Sequence, residues 1–268
     1  MKINSLAFLN AKALNENLVP AYSSSKIGLF ETLRFSNNRI NNFDDHFERI
    51  FSGCQILHLS LPSKTEIFDR INSIVEQSGF KNCRLRYSVF YSVNPDSEEL
   101  IEIFETGEPS KELLTINNAG IFRELNIYPN KLSKLKTTNR LIYSAAQNWA
   151  FQHNFSEAVM VNNSGNICET TIANIFIVKD EVIYTPTAED GCIEGIMKKN
   201  LLAYFKNHNY SFFEKSISEQ ELLQADEVFV SNSIINIKSI NKIGNKKYSN
   251  NFTERLYQNI LNTSDLFY

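Results

Sequence analysis

The chain has 268 residues, 43% hydrophobic and 21% charged, the balance of an ordinary globular protein. Its 27 Lys+Arg against 30 Asp+Glu leave a formal net charge of -3, which excludes the clustered basic charge of a general nucleic-acid binder. No apolar run approaches the roughly 18 residues of a membrane helix, and Met1-Lys2-Ile3-Asn4 opens no signal peptide, so the expectation is a cytoplasmic protein that contacts neither membrane nor nucleic acid.

Along the chain, Phe47, Ile50, Phe51, Cys54 and Leu57 recur at helical spacing and predict a helix over 44–58. Pro62-Ser63 opens a second helix, where Ser63 and Glu66 have the spacing of a capping box ahead of Ile67, Phe68, Ile71, Ile74 and Val75. Leu85, Tyr87, Val89 and Tyr91 alternate with Arg84, Arg86 and Ser88, the period of a strand with one core face and one face bearing two guanidinium groups. The polar stretch Glu105-Thr106-Gly107-Glu108-Pro109-Ser110 reads as a seam between domains at 1–108 and 109–268. Beyond it the pattern predicts a helix over 139–152, a strand at Ala158–Val161, a turn at Asn162–Asn166 and a hairpin from Ile175–Val178 to Val182–Tyr184. A helix starting at Gly195-Ile196-Met197, a Ser218-to-Glu221 cap and a last buried strand at Val228-Phe229-Val230 complete a mixed α/β (α+β) chain. The four cysteines and four histidines are dispersed, with no spacing that suggests a metal site or a disulfide framework.

Three segments carry chemistry: Leu135-Lys136-Thr137-Thr138-Asn139-Arg140-Leu141, the run Gly165 to Phe176, and Thr185-Pro186 with Gly191-Cys192-Ile193-Glu194-Gly195-Ile196-Met197-Lys198. Together they resemble the class IV, fold-type IV pyridoxal-phosphate enzymes, which include branched-chain and D-amino-acid aminotransferases and 4-amino-4-deoxychorismate lyase. Phe30-Glu31-Thr32-Leu33-Arg34 with His46-Phe47-Glu48-Arg49 is similar to the N-terminal signature of that family, and Ala225 to Ser233 to its last one. The resemblance implies a two-domain subunit, D-amino-acid aminotransferase-like, with pyridoxal 5'-phosphate in the interdomain cleft and a homodimer as the assembled form.

The resemblance also implies site residues. Lys136 matches the lysine that carries the cofactor and moves protons, with Lys134 as the fallback and a solvated surface amine as the bland alternative. Glu169 matches the carboxylate beside the pyridine nitrogen, and Asn174 a supporting residue in the same loop. The phosphate would be met by the amides of Ile196 and Met197 at a helix N-terminus, by Ser233 and by Arg49, whose alternative is an ion pair with Glu48 or Asp45. Arg34 and Arg86 match positions that hold the carboxylates of a small amine substrate, or else are solvent-facing strand arginines. No metal is expected. Lys136-Thr-Thr-Asn139-Arg140-Leu141, Gly195-Ile196-Met197 and Leu223-Gln224-Ala225-Asp226-Glu227 look most like the lyase branch; transamination of branched-chain or D-amino acids is the alternative, and a cofactor-binding relative without turnover the third reading. Two loops depart from the family pattern, Ser25-Lys26-Ile27-Gly28 and Tyr91 to Asp96, and bear on the substrate more than on the cofactor.

Overall fold

The structure, a computed structural model, describes residues 5–9, 12–14, 27–91, 100–108, 116–263 and 266. The chain forms two compact units, one of Met1–Ser110, Leu135–Asn139 and Tyr268, the other of Lys111–Lys134 and Arg140–Phe267.

In the first unit, β1 (Ser5–Leu9), β2 (Lys12–Leu14), β3 (Ile27–Ser36), β4 (Arg39–Ile40), β5 (Cys83–Tyr91) and β6 (Leu100–Gly107) form one antiparallel sheet in the order β2-β1-β6-β5-β3-β4. The predicted helices are present as α1 (Phe43–Ile56) and α2 (Lys64–Ser78), and Ser63 with Glu66 closes the expected capping box. Both helices bury their apolar stripes on one face of the sheet, where Ile50, Cys54, Ile67, Ile71 and Ile74 meet Leu29, Leu33, Leu85, Tyr87 and Val89. Each such side chain removed from water contributes about 1.5–3 kcal/mol, so this face fixes the register. Side chains alternate along a strand, so the other face receives Phe30, Thr32 and Arg34 of β3 opposite Ser88, Arg86 and Arg84 of β5.

Leu135–Asn139 belongs to this unit because it docks on β3 as a further strand. Phe30 N donates to Lys136 O (2.9 Å) and Thr138 N to Gly28 O (2.9 Å). Gly28 permits the approach: a Cβ there would meet Thr138 Oγ1 of the docked segment at 2.8 Å. The seam expectation needs correction at its start, since Glu105-Thr106-Gly107 are the end of β6, with Glu105 in register with Arg86 and Thr106 with Leu85. A polar strand end and a linker share their composition, and only pairing tells them apart. Pro109-Ser110 lie outside the described residues, as do Ser25-Lys26 and residues 92–96 of the two departing loops.

The second unit is built on an eleven-stranded mixed sheet. Its elements are β7 (Ala119–Ile127), α3 (Leu141–Gln152), β8 (Glu157–Asn162), β9 (Asn166–Thr170), β10 (Asn174–Lys179), β11 (Val182–Thr185), α4 (Ile196–Asn207), β12 (Phe212–Glu214), β13 (Ile217–Ser218), α5 (Glu219–Gln224), β14 (Glu227–Asn232), β15 (Asn236–Ser239), β16 (Lys242–Ile243), β17 (Lys246–Lys247) and α6 (Asn251–Thr263). The turn after β8, the β10–β11 hairpin and the Ser218–Glu221 capping box stand where the pattern placed them. β14 is not the last strand. β15 pairs with it in register Ser231↔Ile237, and α6 packs Leu256 and Ile260 with Phe176, Phe205 and Phe229. Against α3, Ala146 and Ala150 pack with Phe122, Ala158 and Met160. The two sheets and the six helices of the described residues form the expected α/β (α+β) fold. No helix among the described residues is long and apolar enough to cross a membrane.

Candidate active site

The first unit gathers cations on the sheet face away from α1 and α2. Thr137 bridges Leu29 antiparallel, which sets Lys136 opposite Phe30. The Lys136 ammonium lies over the Phe30 ring at 4.6 Å, and the Arg86 guanidinium over the same ring at 4.0 Å. Arg86 is half-buried, donates to Ser88 Oγ (3.2 Å) and lies 3.6 Å from a Glu105 carboxylate oxygen. Arg34, also half-buried, shares this face by register. Lys134, the fallback for Lys136, belongs to the second unit and pairs with Glu189 at 3.0 Å.

Arg49 takes the other side of β3. Its Nε donates to Glu31 Oε1 (2.7 Å) and its Nη2 to Glu31 Oε2 (2.5 Å), while His46 Nδ1 lies 2.7 Å from Glu31 Oε2. Burial pushes the Glu31 carboxyl up, but Arg49 and then His46 outweigh it and hold the pKa down at about 2. Burial pulls the His46 pKa down, and the Glu31 carboxylate works against that pull. A carboxyl with a lowered folded pKa contributes stability above its ordinary value near 4.5 and loses it as pH falls toward 2. Glu31→Gln is therefore expected to cost about 3 kcal/mol at neutral pH, and to flatten the fall in melting temperature between pH 4.5 and 2; melting curves of both proteins over that range check this.

The second unit holds the acidic and helix-terminal parts. Glu169, at the end of β9 and 3% exposed, is in register with Asn174 across to β10. Its Oε1 accepts from the Tyr143 hydroxyl (2.6 Å), its Oε2 from Asn174 Nδ2 (3.4 Å), and Ile193 N lies 3.3 Å from both oxygens. Asn174 Nδ2 also donates to Ile193 O (2.8 Å), tying β10 to the segment that leads into α4. Gly195, the N-cap of α4, supplies no side chain to the first amides of that helix. Lys198, in its first turn, is buried with Nζ on Pro186 O (2.5 Å) and Glu214 Oε2 (3.0 Å). Met197 is buried in the core with Phe176 and Phe229, which leaves its amide as its polar feature at the helix start. Ser233 is half-buried in the turn from β14 to β15, whose amides at Ile234 and Ile235 are held by Asn232 Oδ1.

Sequence reasoning passed over Ser231 and Tyr143. Ser231 is fully buried, its Oγ has no hydrogen-bond partner among the described residues, and it lies in register with Asn174. A Cβ on Gly195 would fall 1.9 Å from Asn174 Oδ1, so Asn174 and Gly195 are tightly packed at the start of α4. The Gly195 φ of -72° suits any residue, and the effect of a substitution there is steric. Gly195→Ala is expected to displace Asn174 and lower stability by about 1–3 kcal/mol, with weakened cofactor uptake; a denaturant melt and a cofactor titration measure the two effects.

A lysine amine beside two arginines on one sheet face, a buried carboxylate and a helix start without a side-chain cap are the parts set out by this geometry. The model of the class IV aminotransferase family matches residues 28–243, and the chain belongs to that family. An aminodeoxychorismate lyase of Vibrio harveyi is 27% identical over 225 residues, covering 81% of this chain and 83% of its own length. A branched-chain-amino-acid aminotransferase of Pseudomonas aeruginosa is 25% identical over 241 residues, covering 82% and 77%. The branched-chain amino acid aminotransferase of Escherichia coli superposes with a TM-score of 0.85 at 18% identity over 97% of this chain and 94% of its own, which shows the shared fold. The protein is a pyridoxal-phosphate-dependent enzyme, a lyase or a transaminase.

Proposed function

We propose that this enzyme is a lyase acting on 4-amino-4-deoxychorismate, which it converts to p-aminobenzoate and pyruvate. The observation that carries the reading is the placement of Arg34 and Arg86 on the same sheet face as Lys136. That substrate bears two carboxylates, one on its ring and one on its enolpyruvyl group, and two guanidinium groups suit both. The run from Lys136 to Leu141, Met197 at the start of α4 and Leu223 to Glu227 support the same branch of the family.

The residues of the second unit fit pyridoxal phosphate. The α4 N-terminus offers the amides of Ile196 and Met197, with no side-chain cap on that helix, to a dianion, and Ser231 Oγ, without a partner among the described residues, lies beside Asn174, which itself abuts Gly195. Ser233 is the further hydroxyl this reading gives to the phosphate; in the first unit Arg49, oriented by Glu31, is the cation it gives to the same group. When bound, the cofactor supplies a protonated pyridine ring that accepts electron density from the substrate carbon. Lys136 would hold the cofactor through its amine, and the same amine would take the proton from the substrate carbon bearing nitrogen. Glu169 would hold a proton at the pyridine nitrogen, and Asn174 and the Ile193 amide hold that carboxylate in place. Arg34 and Arg86 orient the substrate by its carboxylates until the enolpyruvyl carbon–oxygen bond breaks and the ring becomes aromatic. The working form in this reading is a homodimer.

The test is p-aminobenzoate formation by cofactor-loaded protein given freshly made aminodeoxychorismate, beside a Lys136→Ala control. Product well above the control supports the lyase. Absence of product from a protein that holds the cofactor transfers the reading to transamination, with a panel of L- and D-amino acids as the next substrates.

A further inference from the structure

We infer that Tyr143 is a positioning residue for Glu169, setting the direction and the basicity of the carboxylate that meets the pyridine nitrogen; the inference rests on the cofactor placement proposed above. Tyr143 sits in the first turn of α3, half-buried, and its hydroxyl donates to Glu169 Oε1 at 2.6 Å. That length is in the range of a charge-assisted O–H···O⁻ bond, about twice as strong as one between neutral groups.

The tyrosine is itself held. The Arg140 guanidinium covers its ring at 3.8 Å, and Arg140 Nη2 donates to Thr171 O at 2.6 Å, two residues past Glu169. Arg140 thus ties the start of α3 to the β9–β10 turn, and the phenol cannot swing away without breaking a contact. Burial pushes the phenol's pKa up, and the adjacent carboxylate raises it further, while Arg140 pulls it partly back. The hydroxyl is a donor throughout the neutral range. With Oε1 engaged by the phenol and Asn174 Nδ2 on Oε2, the carboxylate plane is fixed before any cofactor arrives. The hydroxyl draws charge from the carboxylate and lowers its basicity, which limits how tightly it takes the pyridine proton for itself.

The experiment is a double-mutant cycle on cofactor affinity, a quantity separate from turnover. The dissociation constant of pyridoxal phosphate is measured by quenching of Trp149, the single tryptophan of the chain and a residue of α3, whose emission also reports that the helix is folded. Tyr143→Phe deletes one oxygen and is expected to weaken binding about tenfold. In a Glu169→Ala background, which leaves the phenol no oxygen at 169 to bond, the same change is expected to weaken it by less than about twofold, since the phenol acts through the carboxylate. A merely structural role for Tyr143 would carry the full effect into that background, and this outcome overturns the inference. So does a Tyr143→Phe protein that binds as tightly as the wild type. A wild-type protein that takes up no cofactor overturns the functional reading and the inference with it, whereas wild-type uptake beside an unaffected variant overturns the inference alone.

Discussion

Lys136→Ala is expected to lose every borohydride-trappable adduct with pyridoxal phosphate and to lower turnover by at least about 10³-fold. The reason is positional. The Lys136 amine is placed over the Phe30 ring, beside Arg86, by strand pairing of Leu135–Asn139 to β3. Lys134 is two residues away yet groups with the second unit, where its amine is paired to Glu189, and it is a poor substitute. Borohydride treatment of cofactor-loaded protein, followed by peptide mass mapping, locates the modified lysine. An adduct that persists in the Lys136→Ala protein would show that another lysine carries the cofactor.

Glu169→Gln is expected to retain cofactor while turnover falls by about 10²–10³-fold, the range for removing one preorganised charge from a reacting centre. Glutamine keeps the volume of a side chain that is 3% exposed, and it still presents an oxygen to Tyr143 and to the Ile193 amide. What it lacks is the negative charge that holds a proton on the pyridine nitrogen. Cofactor content by absorbance and product formation on the same sample separate the two quantities; an unchanged rate would remove the electronic role given to Glu169.

These two experiments divide cofactor attachment from electronic activation, and each addresses residues of one structural unit. Lys136 lies in the first unit, in a strand-like segment contributed from beyond its main stretch of chain, and Glu169 lies in the sheet of the second. The Glu31–Arg49–His46 cluster adds a structural condition, since the arginine proposed for the phosphate is held by a carboxylate whose ionisation the protein protects to acid pH.

Local chemistry was legible without the fold. Both capping boxes, the apolar spacing of α1 and α2, and the alternation of β5 rest on neighbours within a few residues, so they can be read from any sequence that contains them. The chain order of Lys136, Glu169 and Gly195-Ile196-Met197 was enough to indicate the family. The C-terminal helix was readable and was missed: Phe252, Leu256 and Ile260 repeat at intervals of four, a signal masked by the polar residues around them.

Other features had no local signal. Glu105 and Thr106 look like linker until β5 and β1 pair with them, because a strand's identity lies in its partners. The pairing of Glu31 with Arg49, 18 residues away in sequence, follows from α1 packing against β3. Tyr143 and Glu169, 26 residues apart in sequence, meet because α3 covers β7 and β8 while β9 runs beside β8. The sequence by itself determined the family and the cofactor class. Only the tertiary structure decided which carboxylate orients which cation and which hydroxyl reaches Glu169, since hydrogen bonds operate over about 3 Å and chain separation carries no such distance.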